Sequence, residues 1–350
     1  MAKRRTKIPA PTWEHEHTGI TRKLEANRWQ LWATVGILLL VVASLGVIGF
    51  AFLADYIEDQ QRPGSLALRV ADRELTVEEY TERAVLKGEQ VGTFNATFVV
   101  SLLNQDLIEE LMLLQFADEQ SATATDEEIR EDIAVTLGIT AGDSNFDARL
   151  QEELARNGLT EEQYRDISRA AILKAKVTVG FQAEIPDTLP SVNYREIQVA
   201  DVETADDLVA QLNEGAEFGP LAAENSINQT SGQAGGEKGW VAEGILDENA
   251  EAVLFALEPG EITTFLEPSN SVFVYEVTEK SDAHEVSITD NIRLGELAYA
   301  EWLTERALDV DIENEMDTQI GDSDKLGYVV DHANLTAGSQ AAPQPAPGHN

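Results

Sequence analysis

The sequence has no cysteine in 350 residues. That absence excludes a disulfide framework, a thiolate-bound zinc, a catalytic cysteine and a lipid anchor attached through cysteine. Histidine is scarce, with His15, His17, His284, His332 and His349 the whole supply. Positive charge is scarce too: 25 Lys+Arg stand against 63 Asp+Glu, a formal net charge of −38. A nucleic-acid partner needs a cationic footprint against its phosphates, so that class is excluded. No HExxH helix, nucleophile elbow or dinucleotide fingerprint occurs. Gly235-Gly236-Glu237-Lys238-Gly239 lacks phosphate-loop spacing, and its glycines read as tight turns. Glu14-His15-Glu16-His17 lies in a polar tail and is assigned no metal. No cofactor is expected.

What is present is 43 % apolar residues, enough for packed cores in two or three domains. The apolar residues are concentrated first at Trp29–Ala54, 26 consecutive residues without a charge. The 24 residues from Leu31 to Ala54 would span about 36 Å as a helix, enough for a ~30 Å hydrocarbon layer with some tilt. Trp29, Trp32 and Tyr56 stand near its ends, where aromatic rings favour the interface. Seven basic and three acidic residues precede it, a net of +4, which leaves −42 for everything after it. The positive-inside rule then predicts a single-pass anchor at 29–54, a cytoplasmic basic tail at 1–28 and an extracytoplasmic remainder. A cleaved signal peptide would have a shorter apolar region and a better small-x-small site than Phe52-Leu53-Ala54.

Beyond Gln60-Gln-Arg-Pro-Gly64, a short tether, Leu66–Val70 alternates like a strand. Three capping boxes follow, Thr76/Glu79, Thr125/Glu128 and Thr160/Gln163, each a threonine with an acidic or amide side chain three residues later. They predict a run of helices. Val100, Leu103, Leu107, Leu111 and Leu114 make one apolar stripe of a long helix. A second face of that helix carries Leu102, Met112 and Phe116, which read first as core and second as surface for an apolar partner. Pro186 and Pro190 bracket a linker. After it the pattern turns mixed: a strand at Tyr194–Val199, helices at Ala205–Asn213 and Phe218–Glu224, and a Gly-rich loop at Gly232–Gly239. A helix near Glu248–Leu257 and a strand at Val272–Thr278 complete this α+β unit. Helix returns through Leu294, Ala298, Trp302 and Leu308, and the Ala/Gln/Pro-rich 337–350 reads as a disordered tail.

Two stretches resemble the SurA/PrsA-like extracytoplasmic foldases. "LRVADRELTVEEY", "LIEELMLLQFADEQSATATDEEI" and "LARNGLTEEQYRDISRAAILKAKV" are similar to that family's helical chaperone lobe. The ordered set Arg195–Val199, Gly215-Ala-Glu-Phe218, Gly235-Gly236…Gly239-Trp240 and Phe255-Ala-Leu257…Gly260-Glu261 resembles its parvulin-type peptidyl-prolyl isomerase domain. The resemblance implies an α+β architecture: an anchor, a helical lobe at 65–185, and an inserted parvulin-like domain at 191–281 with an antiparallel sheet flanked by helices. A C-terminal helical part at 284–335 would return to the lobe.

The departures from the family bear on chemistry. Its first-strand histidine corresponds to Glu196 and its last-strand histidine to Phe273, while Asn228 stands near the usual Asp or Cys. The family's prolyl-pocket side chains correspond to Leu246 and Ala250, and a leucine of its glycine loop to Lys238. Val241 and Phe255 complete the implied substrate pocket. Ala250, in place of an aromatic wall, is expected to widen that pocket. Prolyl isomerisation crosses a barrier of ~18–20 kcal/mol with no bond broken, so it has no obligatory general base. The resemblance therefore implies a folding factor with weak or no isomerase activity, whose partners are unfolded or newly exported polypeptides and, through one helix, the membrane. An active isomerase and a membrane scaffold with a docking module are the alternatives. The acidity reads either as solvation in a salty exterior or as steering of basic client segments.

Overall fold

The computed structural model describes residues 36, 39, 40, 42–54 and 56–335. The chain divides into two compact units, Met1–Ser65 and Leu66–Asn350. In the first, residues 42–54 and 56–61 are helical and exposed. The tail at 1–28 and 337–350 lie outside the described residues, as do ten of the 26 residues of the span expected at 29–54. Among the described residues no helix is long and apolar enough to cross a membrane.

The second unit opens with a hairpin, β1 (Leu66–Val70) and β2 (Arg73–Thr76), turning through Ala71 at positive φ. Helix α1 (Val77–Val91) begins at Thr76, whose hydroxyl accepts from the Glu79 amide while the Glu79 carboxylate accepts from the Thr76 amide. The same reciprocal cap starts α3 (Asp126–Thr136) and α5 (Glu161–Glu184). Each such cap contributes about 1 kcal/mol by satisfying donors that no helical carbonyl can reach. Between them lie α2 (Ala96–Phe116) and α4 (Phe146–Asn157). The α2 stripe is in the core: Val100, Leu103, Leu107 and Leu111 are buried with Tyr80, Val77 and Leu68.

A mixed domain follows, with β3 (Thr188–Val199), α6 (Val202–Asn213), α7 (Phe218–Asn225), α8 (Gln229–Gln233), β4 (Glu237–Ala242), α9 (Glu248–Ala256), β5 (Ile262–Leu266) and β6 (Val272–Glu285). Its sheet is antiparallel in the order β4-β3-β6-β5. Alternation along the strands divides it into two faces. Ile197, Val199, Val272 and Val274 pack with α6 and α7, whereas Tyr194, Phe265, Tyr275 and Val277 pack with α9.

The structure extends two elements past the sequence reading. β3 starts at Thr188, inside the expected linker, and β6 runs to Glu285, seven residues past Thr278. The two extensions pair with each other, Thr188 opposite Glu285 and Leu189 opposite His284. Pro190, which has no amide to donate, falls where the register shifts between Leu189 and Ser191.

The chain then returns to the helical lobe. Helix α10 (Ile288–Asp309) packs on α5 and α2, burying Tyr299 and Trp302 against Leu113, Leu173 and Val177. Gly295 lies where a Cβ would stand 2.3 Å from Gln182 Cγ, so the helices approach closely there. β7 (Ile312–Asn314) adds to β1, and α11 (Ser323–His332) closes over α1. Asn104 joins the two ends of the sequence: it accepts from the Tyr80 hydroxyl at 2.7 Å and donates to the Met316 carbonyl at 3.1 Å.

Candidate functional site

The sheet face under α9 carries the residues singled out in the sequence. Glu196 faces Tyr275 across the β3–β6 ladder, and Phe273, two residues back on β6, shares that face. Phe273, Tyr275 and Phe265 form a row of stacked rings with centroids 5.5 and 5.6 Å apart, and Tyr194 meets Tyr275 edge-on at 5.9 Å. Val241, Leu246, Ala250 and Phe255 pack into the same cluster. Ala250 is buried, with Tyr194, Leu254, Phe265 and Tyr275 in its cluster. The face is thus an aromatic floor.

Beside the floor sits one ion pair. The Glu196 side chain is 9 % exposed and accepts from Lys238 Nζ at 3.2 Å. β4 presents Lys238 because the β3–β4 register shifts between Tyr194, opposite Gly239, and Arg195, opposite Glu237. Below it Gly236, at φ +80°, brings the backbone close: its carbonyl accepts from the Glu196 amide at 2.9 Å, and a Cβ there would lie 2.7 Å from the Glu196 carbonyl oxygen.

Burial, and then the Glu196 carboxylate, raises the Tyr194 hydroxyl above the ordinary tyrosine range. Burial raises Tyr275 as well, reinforced by Tyr194, Glu196, Glu267 and Asp247. Both rings are therefore neutral donors at physiological pH.

Asn228 is not brought into this group. Its side-chain oxygen accepts from the Ser231 amide and caps α8. The neighbouring Ile227 amide donates to Gln198, so the segment runs beside β3 while the Asn228 side chain serves the local turn. His284, the histidine nearest in sequence, stacks on Trp240 with centroids 4.0 Å apart, at the far end of β6 from Tyr275. The site's polar equipment is one carboxylate, one ammonium and two phenols, set against rings.

A second feature was not legible in the sequence. Helices α2, α5 and α10 enclose a groove of about 1100 Å³, lined by Ile108, Met112, Val179, Tyr299, Ala300 and Leu303 among others. Glu109 at its wall accepts from the Tyr299 hydroxyl at 2.5 Å and pairs with Lys174 at 2.6 Å. Burial and that carboxylate raise the Tyr299 hydroxyl. Of the three second-face residues of α2, Met112 lines the groove, whereas Phe116 packs between two cores.

Comparison with known proteins covers the parvulin-type sheet and the α2 and α5 walls of the groove up to residue 178. Residues 22–178 match the SurA-like N-terminal domain, and residues 188–281 match the PPIC-type PPIase domain. The chain is a SurA/PrsA-like protein with a parvulin-type domain following its helical lobe. Among its relatives, a foldase protein PrsA of Geobacillus kaustophilus is 28 % identical over 180 residues, 50 % of this chain and 61 % of that protein. A chaperone SurA of Pseudomonas putida is 24 % identical over 285 residues, 71 % of this chain and 66 % of that protein. The chain thus spans less than two thirds of either relative. A crystal structure of peptidylprolyl isomerase PrsA from Bacillus anthracis covers 67 % of this chain and 100 % of its own, at 16 % identity and a TM-score of 0.37.

Proposed function

We propose that this chain is an extracytoplasmic folding factor that holds unfolded or newly exported polypeptides in the α2–α5–α10 groove. The uncharged run at 29–54 tethers it to the cell membrane with the N-terminus in the cytoplasm. The observation that carries the reading is the groove, a large apolar-walled trough built from both sequence-distant parts of the lobe. The relatives' names, foldase and chaperone, support it. In the parvulin-type domain, Glu196 and Phe273 stand at the family's histidine positions, and the aromatic floor binds prolyl segments with weak or no catalysis of their isomerisation.

Two assays on the full chain test this. Suppression of aggregation of an unfolded client is expected for the natural protein and is reduced by Ala300→Trp, which fills the groove; equal suppression by both sinks the groove reading. Prolyl exchange on a peptide panel, followed by NMR, is expected to be slow and to quicken in a Glu196→His/Phe273→His variant. Fast exchange by the natural chain would make it an isomerase outright. No suppression and no peptide binding would favour the scaffold reading.

A further inference from the structure

The α2–α5–α10 groove offers side chains but almost no backbone. Its lining runs over 105–112, 171–179 and 296–307, inside helices whose own hydrogen bonds occupy the main chain up to the last turn of α10. Several of its polar side chains are engaged as well: Glu109 by Lys174 and the Tyr299 hydroxyl, Glu296 by Arg293, and the Thr304 hydroxyl by the Ala300 carbonyl. An extended segment of about ten residues would carry about twenty backbone donors and acceptors into this lining, and few would find a partner. A helix satisfies its backbone internally and presents only side chains. At about 10 Å across it takes about 400 Å³ per turn, so the groove of about 1100 Å³ seats about two to three turns.

The apolar track runs on beyond the groove, since Ile288 and Ile292 stand exposed at four-residue spacing before Glu296 on α10. Charge around the groove is one-sided. Lys174 and Arg293 are already paired, with Glu109 and Glu296. Glu301 and Glu305, next in sequence to the lining residues Ala300 and Thr304, are exposed and enter no ion pair among the described residues. The excess of acidic residues beyond residue 54 likewise repels an acidic partner and draws a basic one.

We infer that the groove selects client segments that form amphipathic helices with a basic outer face, the apolar stripe seated between α2 and α10 and lysines or arginines reaching over the rim towards Glu301 and Glu305. The inference rests on the groove reading above and adds its substrate class. So short a helix is marginal in water, so the segment is disordered in the free client and turns helical on seating.

The test titrates the full chain, held in zwitterionic nanodiscs, with carbon-13-labelled peptides of about four turns. One carries leucines at helical spacing and lysines on its other face; a second has the same composition with leucines at alternate positions; a third is the first with glutamate for lysine. Amide shifts of Val179 and Ala300 report seating, and peptide carbonyl shifts report conformation. The helical lysine peptide is expected to bind at least about tenfold more tightly than its isomer, the factor that one unpaired buried amide produces. It should turn helical on seating and outbind the glutamate version by a margin that narrows with salt. Ala300→Trp should weaken the binding read at Val179. Equal binding of the two isomers, a seated peptide that is not helical, or equal binding of the lysine and glutamate versions overturns the inference, and an unfolded client that still moves both amides leaves the groove reading standing. If neither the peptides nor an unfolded client moves them, the groove reading falls as well.

Discussion

Replacing Asn104 by alanine tests whether the hairpin-and-α1 start of the lobe and its returning C-terminal segment fold as one cooperative unit. The side chain accepts from Tyr80 on α1 and donates to the Met316 carbonyl, which belongs to the returning segment. Tyr80 and Met316 are both fully buried, so neither group recovers its hydrogen bond from water. Each orphaned group costs about 1–3 kcal/mol. The Tyr80 hydroxyl keeps a long contact to the Val100 carbonyl at 3.5 Å, which puts its share at the low end. The sum is about 2–4 kcal/mol. With a urea dependence of about 2–3 kcal/mol per molar, the midpoint should fall by about 1 M. Urea unfolding of the full chain, read both at Trp302 and by hydrogen exchange of α11 amides, measures it. Both probes should shift together, and Tyr80→Phe should add little in the Asn104→Ala background. A shift under about 0.3 M, or a shift confined to α11, would refute the argument that Asn104 ties the halves together.

Two further outcomes follow from local geometry. Gly236→Ala places a Cβ 2.7 Å from both the Glu196 carbonyl oxygen and the Phe218 ring, at φ +80°, and should cost about 2 kcal/mol or more within the parvulin-type domain; unchanged amide spectra for 188–281 would contradict it. Lys176 and the Thr125 cap hold the Glu128 carboxyl down to about 2. A carboxyl lowered on folding stabilises the native state above its unfolded pKa, and that contribution is lost as pH falls from about 4.5 to about 2. An NMR titration of Glu128 with a midpoint near 4.5 would remove the basis for this window.

Features written in neighbouring residues were legible in the sequence. The three threonine boxes close through side chains three residues apart, and each forms both of its hydrogen bonds. The α2 stripe was legible for the same reason, since its period is a property of one helix. The groove was not, because α10 joins α2 and α5 from far along the chain; Met112, read first as core, is fully buried in the core and also borders the groove. The end of β6 was hidden by composition: Glu279, Lys280 and Asp282 are exposed, and pairing with β3, rather than an apolar alternation, makes the segment a strand. At the site, the ordered parvulin pattern picked out Glu196, Phe273 and Lys238, but not the Glu196–Lys238 pair, which depends on the register shift of β3 against β4. Asn228, singled out by its place in the parvulin pattern, caps α8 in the structure, a use open to any asparagine before a short helix.

The claim that the lobe groove holds clients is tested most directly by photocrosslinking from two exposed valines of the full chain, Val179 in the groove and Val135 on α3 outside it. Both side chains reach solvent, at 59 % and 77 % exposure, so simple accessibility favours Val135. An unfolded client should crosslink from position 179 and not from 135. Equal crosslinking from the two, or more from 135, would contradict the groove as the place where this protein holds its clients.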